Sequence, residues 1–499
     1  MNDSGKATKR LVTPMTLKGF RDYLPGDMIS RNQVIEKIRM VYEKYGFQPI
    51  DTPVLEYLAS LIGTGGEETN KQLFRLESPE REPIAMRFDL TVPFARLIAQ
   101  YPDTIKLPFR RYQIGPVFRA DKPGPGQFRQ FTQFDIDAAG SDSVAVDAEI
   151  IAVMCEVLTR LGLNNGRDGQ DVEYQVHINN RKLMNALLEG CGITDIDVYK
   201  HVLRVIDKLQ KAGSENVAKE LAEGRIDESG DPIDGVGLNK TVIDQILNFI
   251  LVEGDSRKSI IEALSSVLPE SNSSKVALQE MSDLANALDS LEVGEKEAVF
   301  DPSLTRGLDY YTGPVFETVL TAIPKCKSVM GGGRFDHLVE RFLDSAIPAT
   351  GASIGVDRLM EALRVVGKVK AIPTTTKVLI LAIKGIPVDK LLKVANELRS
   401  AQVSTEIYMS SEQAGIRSQL SYANDREIPI AVIIGEDELS SSKVSVKDLV
   451  AGSRKRVNIS DREAYVQAGK TGQVTVNRNE LVQTVQNIIE AQKIYESGS

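Results

Sequence analysis

Cysteine, histidine and long apolar runs are all scarce in this sequence. Three cysteines in 499 residues, Cys155, Cys191 and Cys326, lie far apart with no CxxC pair. That excludes a disulfide framework and a zinc knuckle, and points to a reducing compartment. The three histidines, His177, His201 and His337, are equally scattered, so each reads as structural before catalytic. No HExxH helix and no Ser-His-Asp set is visible, which leaves no sign of a zincin or a triad hydrolase. The longest apolar run, Ile428–Ile434 counting Pro429, has seven residues, whereas a membrane helix needs about 20. Residues 1–13 carry Lys6, Lys9 and Arg10 without an apolar core, so they do not read as a secretory signal. Neither GxxxxGK[ST] nor GxGxxG occurs, which excludes a P-loop and a dinucleotide-binding turn. The 69 acidic residues outnumber the 60 Lys and Arg, for a net charge of −9. That argues against gripping nucleic acid by bulk charge, though not against a local basic site.

What is present is an ordinary globular composition, 42 % apolar and 26 % charged, which excludes collagen-like and wholly disordered classes. The length suggests about three domains. Residues 1–14 read as a loose polar tail. Val34, Ile38, Val41, Tyr42 and Tyr45 then line one face of a helix that Gly46 stops. A strand-like stretch ending in Pro53 follows. Residues 84–160 mix short β-type runs with glycine-rich turns and end in a helix over 145–161. Residues 172–178 alternate like a half-buried strand. Residues 183–298 are mostly helical pattern without a β-rich motif, and read as a helical insertion. The β pattern resumes at 316–320 and leads to a helix over 355–366. After a Pro/Thr linker at 371–376, strands and helices alternate, which implies parallel βαβ units.

Four segments carry chemistry. In Met86-Arg87-Phe88-Asp89-Leu90-Thr91 a carboxylate and a hydroxyl stand two residues apart. On a strand they would share a face and suit a substrate ammonium, but an ordinary surface strand fits equally well. In Phe118–Asp137, Arg119 and Arg129 flank a Pro/Gly-rich loop, and the arginine fork suits phosphate. Gln133, Asp135 and Asp137 then share one face, either as a ligand-reading surface or as a solvent-facing alternation. Arg306-Gly307-Leu308-Asp309-Tyr310-Tyr311 puts a cation and two phenols in one place, or forms a strand end with core tyrosines. Finally, Gly331-Gly332-Gly333-Arg334-Phe335-Asp336 allows close backbone approach to a ligand, or makes a flexible loop. It pairs with the small-residue strand 351–359, which sets Arg358 on the first turn of a helix.

Taken together and in this order, these segments resemble the class II aminoacyl-tRNA synthetases, specifically the histidyl-tRNA synthetase family. The resemblance runs from about residue 15 to 490. The first helix and the Pro53 strand resemble motif 1, Phe118–Asp137 motif 2, and Gly351–Leu359 motif 3. RGLDYY (306–311) and GGGRFD (331–336) resemble the two histidine-specific signatures. Leu420–Asn424 and Ile433–Glu438 resemble parts of the anticodon-binding domain. The implied fold is an α+β catalytic domain built on an antiparallel sheet, spanning 15–370 with the helical insertion at about 183–298. A C-terminal α/β anticodon-binding domain follows at 377–495.

The implied activity is ATP-dependent attachment of L-histidine to tRNA(His) through a histidyl-adenylate. Asp89, Leu90, Thr91, Gln133, Asp137, Arg306, Tyr310 and Tyr311 would hold histidine. Arg119, Arg129 and Arg358 would hold ATP, and Arg306 and Arg119 would be catalytic. Mg²⁺ is implied, with ligands the sequence does not name. A homodimer through motif 1 and a cytoplasmic location, with no membrane association, are also implied. The insertion is expected to contact tRNA, and basic patches such as Arg129 or Arg454-Lys455-Arg456 to bind it. Three positions depart from the usual family pattern: Asp89 where Glu is frequent, Gln127 where Arg is frequent, and Phe335 where Tyr is frequent. Two rivals stand beside this reading: a regulatory paralogue that binds histidine without charging, and a class II synthetase for another amino acid.

Overall fold

A computed structural model describes residues 12–63, 70–124, 126–166, 169–227, 230–305, 310–324, 326–410, 414–451 and 472–497. The chain divides into two compact units. One holds 33–370 with the described residues before 23; the other holds 23–32 and the described residues from 371 onward.

Helix α1 (Pro25–Lys44) belongs to the first unit from Gln33 onward, and there it supplies Val34, Ile38, Val41 and Tyr42 to the core. Gly46 ends it in a left-handed turn (φ 79°), with the Phe47 N–H reaching back to the Tyr42 carbonyl. Strand β1 (Gln48–Pro49) follows. A small antiparallel sheet joins β2 (Leu55–Tyr57), β3 (Arg75–Glu77) and β4 (Pro83–Met86). Helix α2 (Thr91–Gln100) leads to two long strands, β5 (Phe109–Phe118) and β6 (Gln130–Ala139), and then helix α3 (Val144–Arg160). The rest of the main sheet is β7 (Gln175–Asn180), β10 (Ala298–Phe300), β11 (Pro314–Val319), β12 (Met330–Arg334) and β13 (Ala349–Gly355), closed by helix α10 (Val356–Val365).

The sheet order is β1-β5-β6-β13-β12-β11-β7-β10. The six inner strands are mutually antiparallel, and only the outermost pairs, β1 with β5 and β10 with β7, are parallel. Strand alternation sorts the two faces. Phe134 and Ile136 of β6 and Ala352 and Ile354 of β13 pack into the large core with α1 and α3. Gln133, Asp135 and Asp137 point to the other face. All three are buried, so the solvent-facing alternation is ruled out.

The parallel β7–β10 pair requires a crossover. Its connection is the helical segment α4 (Arg181–Gly190), α5 (Ile196–Ile206), α6 (Ser214–Leu221), α7 (Lys240–Ile250), α8 (Arg257–Val267) and α9 (Asn272–Ser290). The expectation of no β structure there is corrected. Strands β8 (Gly224–Ile226) and β9 (Pro232–Asp234) form a hairpin across the polar break, because Gly224, at φ 98°, sits too close to the Ile233 carbonyl for any Cβ.

The second unit is built on β14 (Val378–Ile380), α11 (Val388–Ser400), β15 (Thr405–Ile407), α12 (Ile416–Asp425) and β16 (Ile430–Ile433). β14 pairs in parallel with both β15 and β16, as the alternation implied. Its sheet is mixed, however: β17 (Lys443–Asp448) and β18 (Gln473–Asn477) add antiparallel to β16. Helix α13 (Leu481–Ser497) lays Leu481 and Val485 on the core of this unit. Among the described residues no helix is long and apolar enough to cross a membrane.

Candidate active site

The site lies on the face of the main sheet opposite α3. At its floor is a row of buried charge fixed by strand register. Arg111 of β5 pairs across the ladder with Asp137 of β6, and Gly351 of β13 faces Asp137 from the other side. Arg111 and Asp137 form a salt bridge with side chains almost wholly buried. Arg111 also donates to the Leu90 carbonyl (3.1 Å) and stacks on Phe94 at 4.7 Å. Gly351 is obligatory here, because a Cβ would sit 2.0 Å from Asp137 Oδ1. Gly333 is obligatory for a similar reason, its Cβ falling 2.8 Å from the Tyr311 ring. The triple glycine is therefore strand β12, thinned for close packing, and not a flexible loop.

The segment Met86–Thr91 is likewise corrected. The strand stops at Met86, and Thr91 is the first residue of α2. Asp89 is buried at that helix start, where its Oδ1 accepts the Val92 N–H at 3.0 Å. The positive end of a helix suits a carboxylate, and it opposes the burial that raises the Asp89 pKa. Leu90 is fully buried, and its carbonyl accepts from Arg111. Thr91 is half-buried at the helix start.

A cavity of about 230 Å³ opens beside this floor. Arg119, Gln133 and Arg358 line it, with Asp121, Glu317, Ser353 and Asp357. Arg119 is sandwiched between Phe88 (4.2 Å) and Phe131 (5.1 Å), and its Nε donates to the Phe88 carbonyl at 3.3 Å. Among the described residues its Nη nitrogens make no hydrogen bond. Burial lowers its pKa, while Asp89 and Tyr310 favour its charge. Arg358 stands on the first turn of α10 and donates to the Ser328 carbonyl at 2.6 Å. A guanidinium at a helix N-terminus is an anion-binding arrangement. Asp357 is occupied otherwise: it accepts the Thr132 N–H at 2.6 Å and pairs with Arg21 at 3.3 Å.

Arg129 is absent from the lining of this cavity. Its Nε donates to the carbonyl of Asp121, itself a lining residue, at 3.0 Å, and its backbone N–H bonds to Gly19. Tyr310 packs on Phe335 at 6.0 Å and on Tyr311 at 4.9 Å. Tyr311 also lines a second cavity with Arg181, Tyr199 and Lys200. Arg306 and the rest of residues 306–309 lie outside the described residues, as do the basic run Arg454-Lys455-Arg456 and residues 1–11 of the tail.

Two arginines of the quoted motifs are braces. Arg87 donates to Pro116 and Thr52 carbonyls, at 2.8 and 2.7 Å, over the space that Gly115 leaves open. Arg334 donates to Asp147 of α3 and to the Ser141 and Ser143 carbonyls, away from the site face. Conversely, Arg111, Ser353 and Glu317 belong to the site neighbourhood without having been singled out. No local motif marks Arg111, which only the pairing register reveals, and Ser353 lies in the quoted 351–359 segment but is set opposite Asp135 only by register.

Burial pushes the Asp135 carboxyl up to about 7, with Arg111, Ser353 and Arg119 opposing the shift. A carboxyl held above its unfolded value of 3.8 binds its proton more tightly in the folded chain. Its stabilising effect is complete below about pH 4 and disappears as pH rises through about 7. Asp135→Asn removes that dependence. The variant should melt about 2–5 °C above the wild type at pH 8, with the gap closing toward pH 5. Thermal unfolding at both pH values checks this, and a pH-independent gap would contradict it.

An antiparallel sheet with two cavity-lining arginines beside a floor of buried carboxylates agrees with the class II aminoacyl-tRNA synthetase fold that the sequence resemblance implied, and comparison with known proteins shows that class. The family model "Histidyl-tRNA synthetase" matches residues 19–359, and "Anticodon binding domain" matches 377–488. The chain belongs to the histidyl-tRNA synthetase family. It is 38 % identical over 490 residues to the histidine–tRNA ligase of Paracoccus denitrificans, covering 95 % of this chain and 97 % of that one. It is 37 % identical to that of Rhizobium leguminosarum bv. trifolii, covering 99 % and 98 %. Among solved structures it is similar to the histidyl-tRNA synthetase of Nostoc sp., with a TM-score of 0.76, 30 % identity and coverage of 96 % and 100 %.

Proposed function

We propose that this chain attaches L-histidine to tRNA(His) in two steps, with Arg119, Arg306 and Arg358 handling the phosphates and the carboxylate floor reading the amino acid. The observation that carries the residue assignment is the juxtaposition of Arg119, free at its Nη atoms among the described residues, with Gln133 and the buried Asp89–Asp135–Asp137 group.

In the first step the histidine carboxylate attacks the α-phosphorus of ATP, and pyrophosphate leaves. Negative charge gathers at the α-phosphate, so positioning and fixed cations supply most of the acceleration. Arg119 is preorganised for this by its aromatic sandwich, and Arg358 by its helix start. Arg306 is assigned to the substrate carboxylate and α-phosphate on the family resemblance. Asp89 and Thr91 hold the histidine amino group with Leu90 beside them, Gln133 and Asp137 contact the substrate from β6, and Tyr310 and Tyr311 close on the imidazole side. Arg129 serves the ATP or the acceptor end. In the second step a ribose hydroxyl of the terminal adenosine attacks the acyl carbon, and AMP leaves. A site that hydrogen-bonds the substrate ring rejects analogues lacking its N–H by about 10⁴-fold, so no editing domain is needed.

Mg²⁺ fits the residues present. Among the described residues no three His, Cys, Asp or Glu side chains form a metal cage. Yet Mg²⁺ characteristically takes one or two carboxylates plus nucleotide phosphates, and Glu317 and Asp121 are carboxylates lining the cavity. Bound there with ATP, the ion would neutralise phosphate charge.

The motif 1 resemblance supports a homodimer, and the family supports a cytoplasmic enzyme. The helical segment α4–α9 is assigned to tRNA contact. The test is amino-acid-dependent ATP–pyrophosphate exchange across all twenty amino acids, with histidine the expected positive.

A further inference from the structure

Phe128 walls the cavity that Arg119 and Arg358 line, at the return of the Pro/Gly-rich loop between β5 and β6. The loop pairs with itself on either side of Phe128, at the Gly124–Gln127 bridge and through the Arg119 N–H to the Arg129 carbonyl at 2.8 Å. Both are backbone bonds, and neither holds the Phe128 ring.

The ring is held from another part of the chain, Gly19-Phe20-Arg21. Arg21 Cζ lies 4.1 Å from the Phe128 ring centroid, within cation–π range. The same guanidinium donates to Glu361 Oε1 at 2.8 Å and to Asp357 Oδ1 at 3.3 Å. Those carboxylates stand four residues apart on α10 and so share one helix face. Asp357 immediately precedes Arg358, and its other oxygen accepts the Thr132 N–H from β6 at 2.6 Å. One planar fork thus ties Phe128 to the helix start that carries Arg358.

The same segment is fastened to the loop backbone. The Gly19 carbonyl accepts the Arg129 N–H at 2.8 Å. Gly19 has φ 86°, and a Cβ there would lie 2.8 Å from Arg129 Cγ and 3.0 Å from Pro123 Cγ. Glycine is required both by the backbone and by the close approach. Phe20, between the two contacts, sets its ring edge-on to Phe74 at 6.1 Å. Arg21 itself does not line the cavity, so any effect on a ligand there passes through Phe128 and α10. A site whose wall is only partly in place binds more weakly by the fraction of time it is competent.

We infer that Arg21 is a positioning residue for ATP: with Gly19 it forms a clasp that holds the Phe128–Arg129 wall against the start of α10. The inference rests on the proposed assignment of the Arg119–Arg358 cavity to ATP, and the test separates the two.

Steady-state histidine-dependent pyrophosphate exchange gives the KM for ATP and for histidine in the wild type and in Arg21→Ala, Arg21→Lys, Gly19→Ala and Arg358→Ala enzymes. Amide hydrogen exchange over residues 119–130 is followed on the same full-length proteins without ligand. Arg21→Ala should raise the KM for ATP about five- to tenfold, the worth of a cation–π contact with its ion pairs. The KM for histidine should stay within about twofold. Arg21→Lys keeps the charge but not the stacked fork, and should fall between Arg21→Ala and the wild type. Gly19→Ala changes no charge, and should still raise the KM for ATP. Exchange over 119–130 should quicken in Arg21→Ala and Gly19→Ala. The Arg21 side chain is 27 % exposed, so its variants should fold. A raised ATP KM in Arg358→Ala, with Arg21→Ala normal, would overturn the clasp alone. An unchanged ATP KM in Arg358→Ala would overturn the ATP assignment and the clasp together. A raised ATP KM in Arg21→Ala without faster exchange over 119–130 would mark a purely electrostatic effect and overturn the clasp. Equal rises for ATP and histidine in Arg21→Ala would mark general structural damage and also overturn it.

Discussion

Arg119→Ala should lower histidine-dependent pyrophosphate exchange by about 10²–10³-fold, the cost of removing one preorganised donor from developing charge. The melting temperature should change little, because among the described residues the guanidinium is held by Nε to the Phe88 carbonyl and by two ring faces. The loss should fall on kcat, since a cation aimed at the α-phosphate matters most when charge accumulates there. Arg119→Lys keeps the charge but not the planar stack, so it should recover only part of the rate. Initial rates at saturating ATP and histidine, with thermal melts on the same samples, check both halves. A near-normal kcat would remove Arg119 from the chemistry.

The opposite pattern is expected at Arg334, in the GGGRFD segment. Its side chain is 3 % exposed, and it pairs with Asp147, which is wholly buried. Arg334→Ala leaves that carboxylate without its cation, and breaking a buried pair from one side costs about 3–5 kcal/mol. Burial already raises Asp147 to about 6, so the lone acid would take a proton as part of the damage. The midpoint of denaturation should fall sharply, while the folded fraction keeps a histidine KM within about threefold. The double change Arg334→Met with Asp147→Leu should regain much of the stability, because matched apolar residues replace a buried pair at little cost. Denaturant melts of the two variants beside the wild type, with histidine titrations at low temperature, check this. A kinetic loss without destabilisation would reassign Arg334 to the site.

These two arginines also mark what the sequence conveyed. Strand alternation in Gln133–Asp137 was legible because a period of two needs no tertiary information. So were the Gly46 helix stop, the parallel strands of the second unit and Arg358 on the first turn of a helix. The distinction between Arg119 and Arg334 was not legible. Each stands at the end of a strand near a conspicuous motif, and only the pleat decides that one faces the cavity and the other faces α3. Asp89 shows the same limit: three residues after a strand, it becomes the acceptor at a helix start because the chain bends at Phe88. The β8–β9 hairpin was hidden because a polar break in helical pattern reads as a loop until Gly224 is seen against the Ile233 carbonyl. Arg111 carries no motif at all and enters the site only through register, and Ser353, though inside the 351–359 segment, is set beside Asp135 only by register.

The net charge of −9 is reconciled with a tRNA ligand if binding is confined to local basic patches. The most direct measurement of the central claim is amino-acid-dependent pyrophosphate exchange across the twenty amino acids, followed by transfer of the activated amino acid to tRNA. Exchange with histidine alone, and accumulation of histidyl-tRNA with release of AMP, is the expected result. Histidine binding without exchange, or exchange driven by another amino acid, would contradict it.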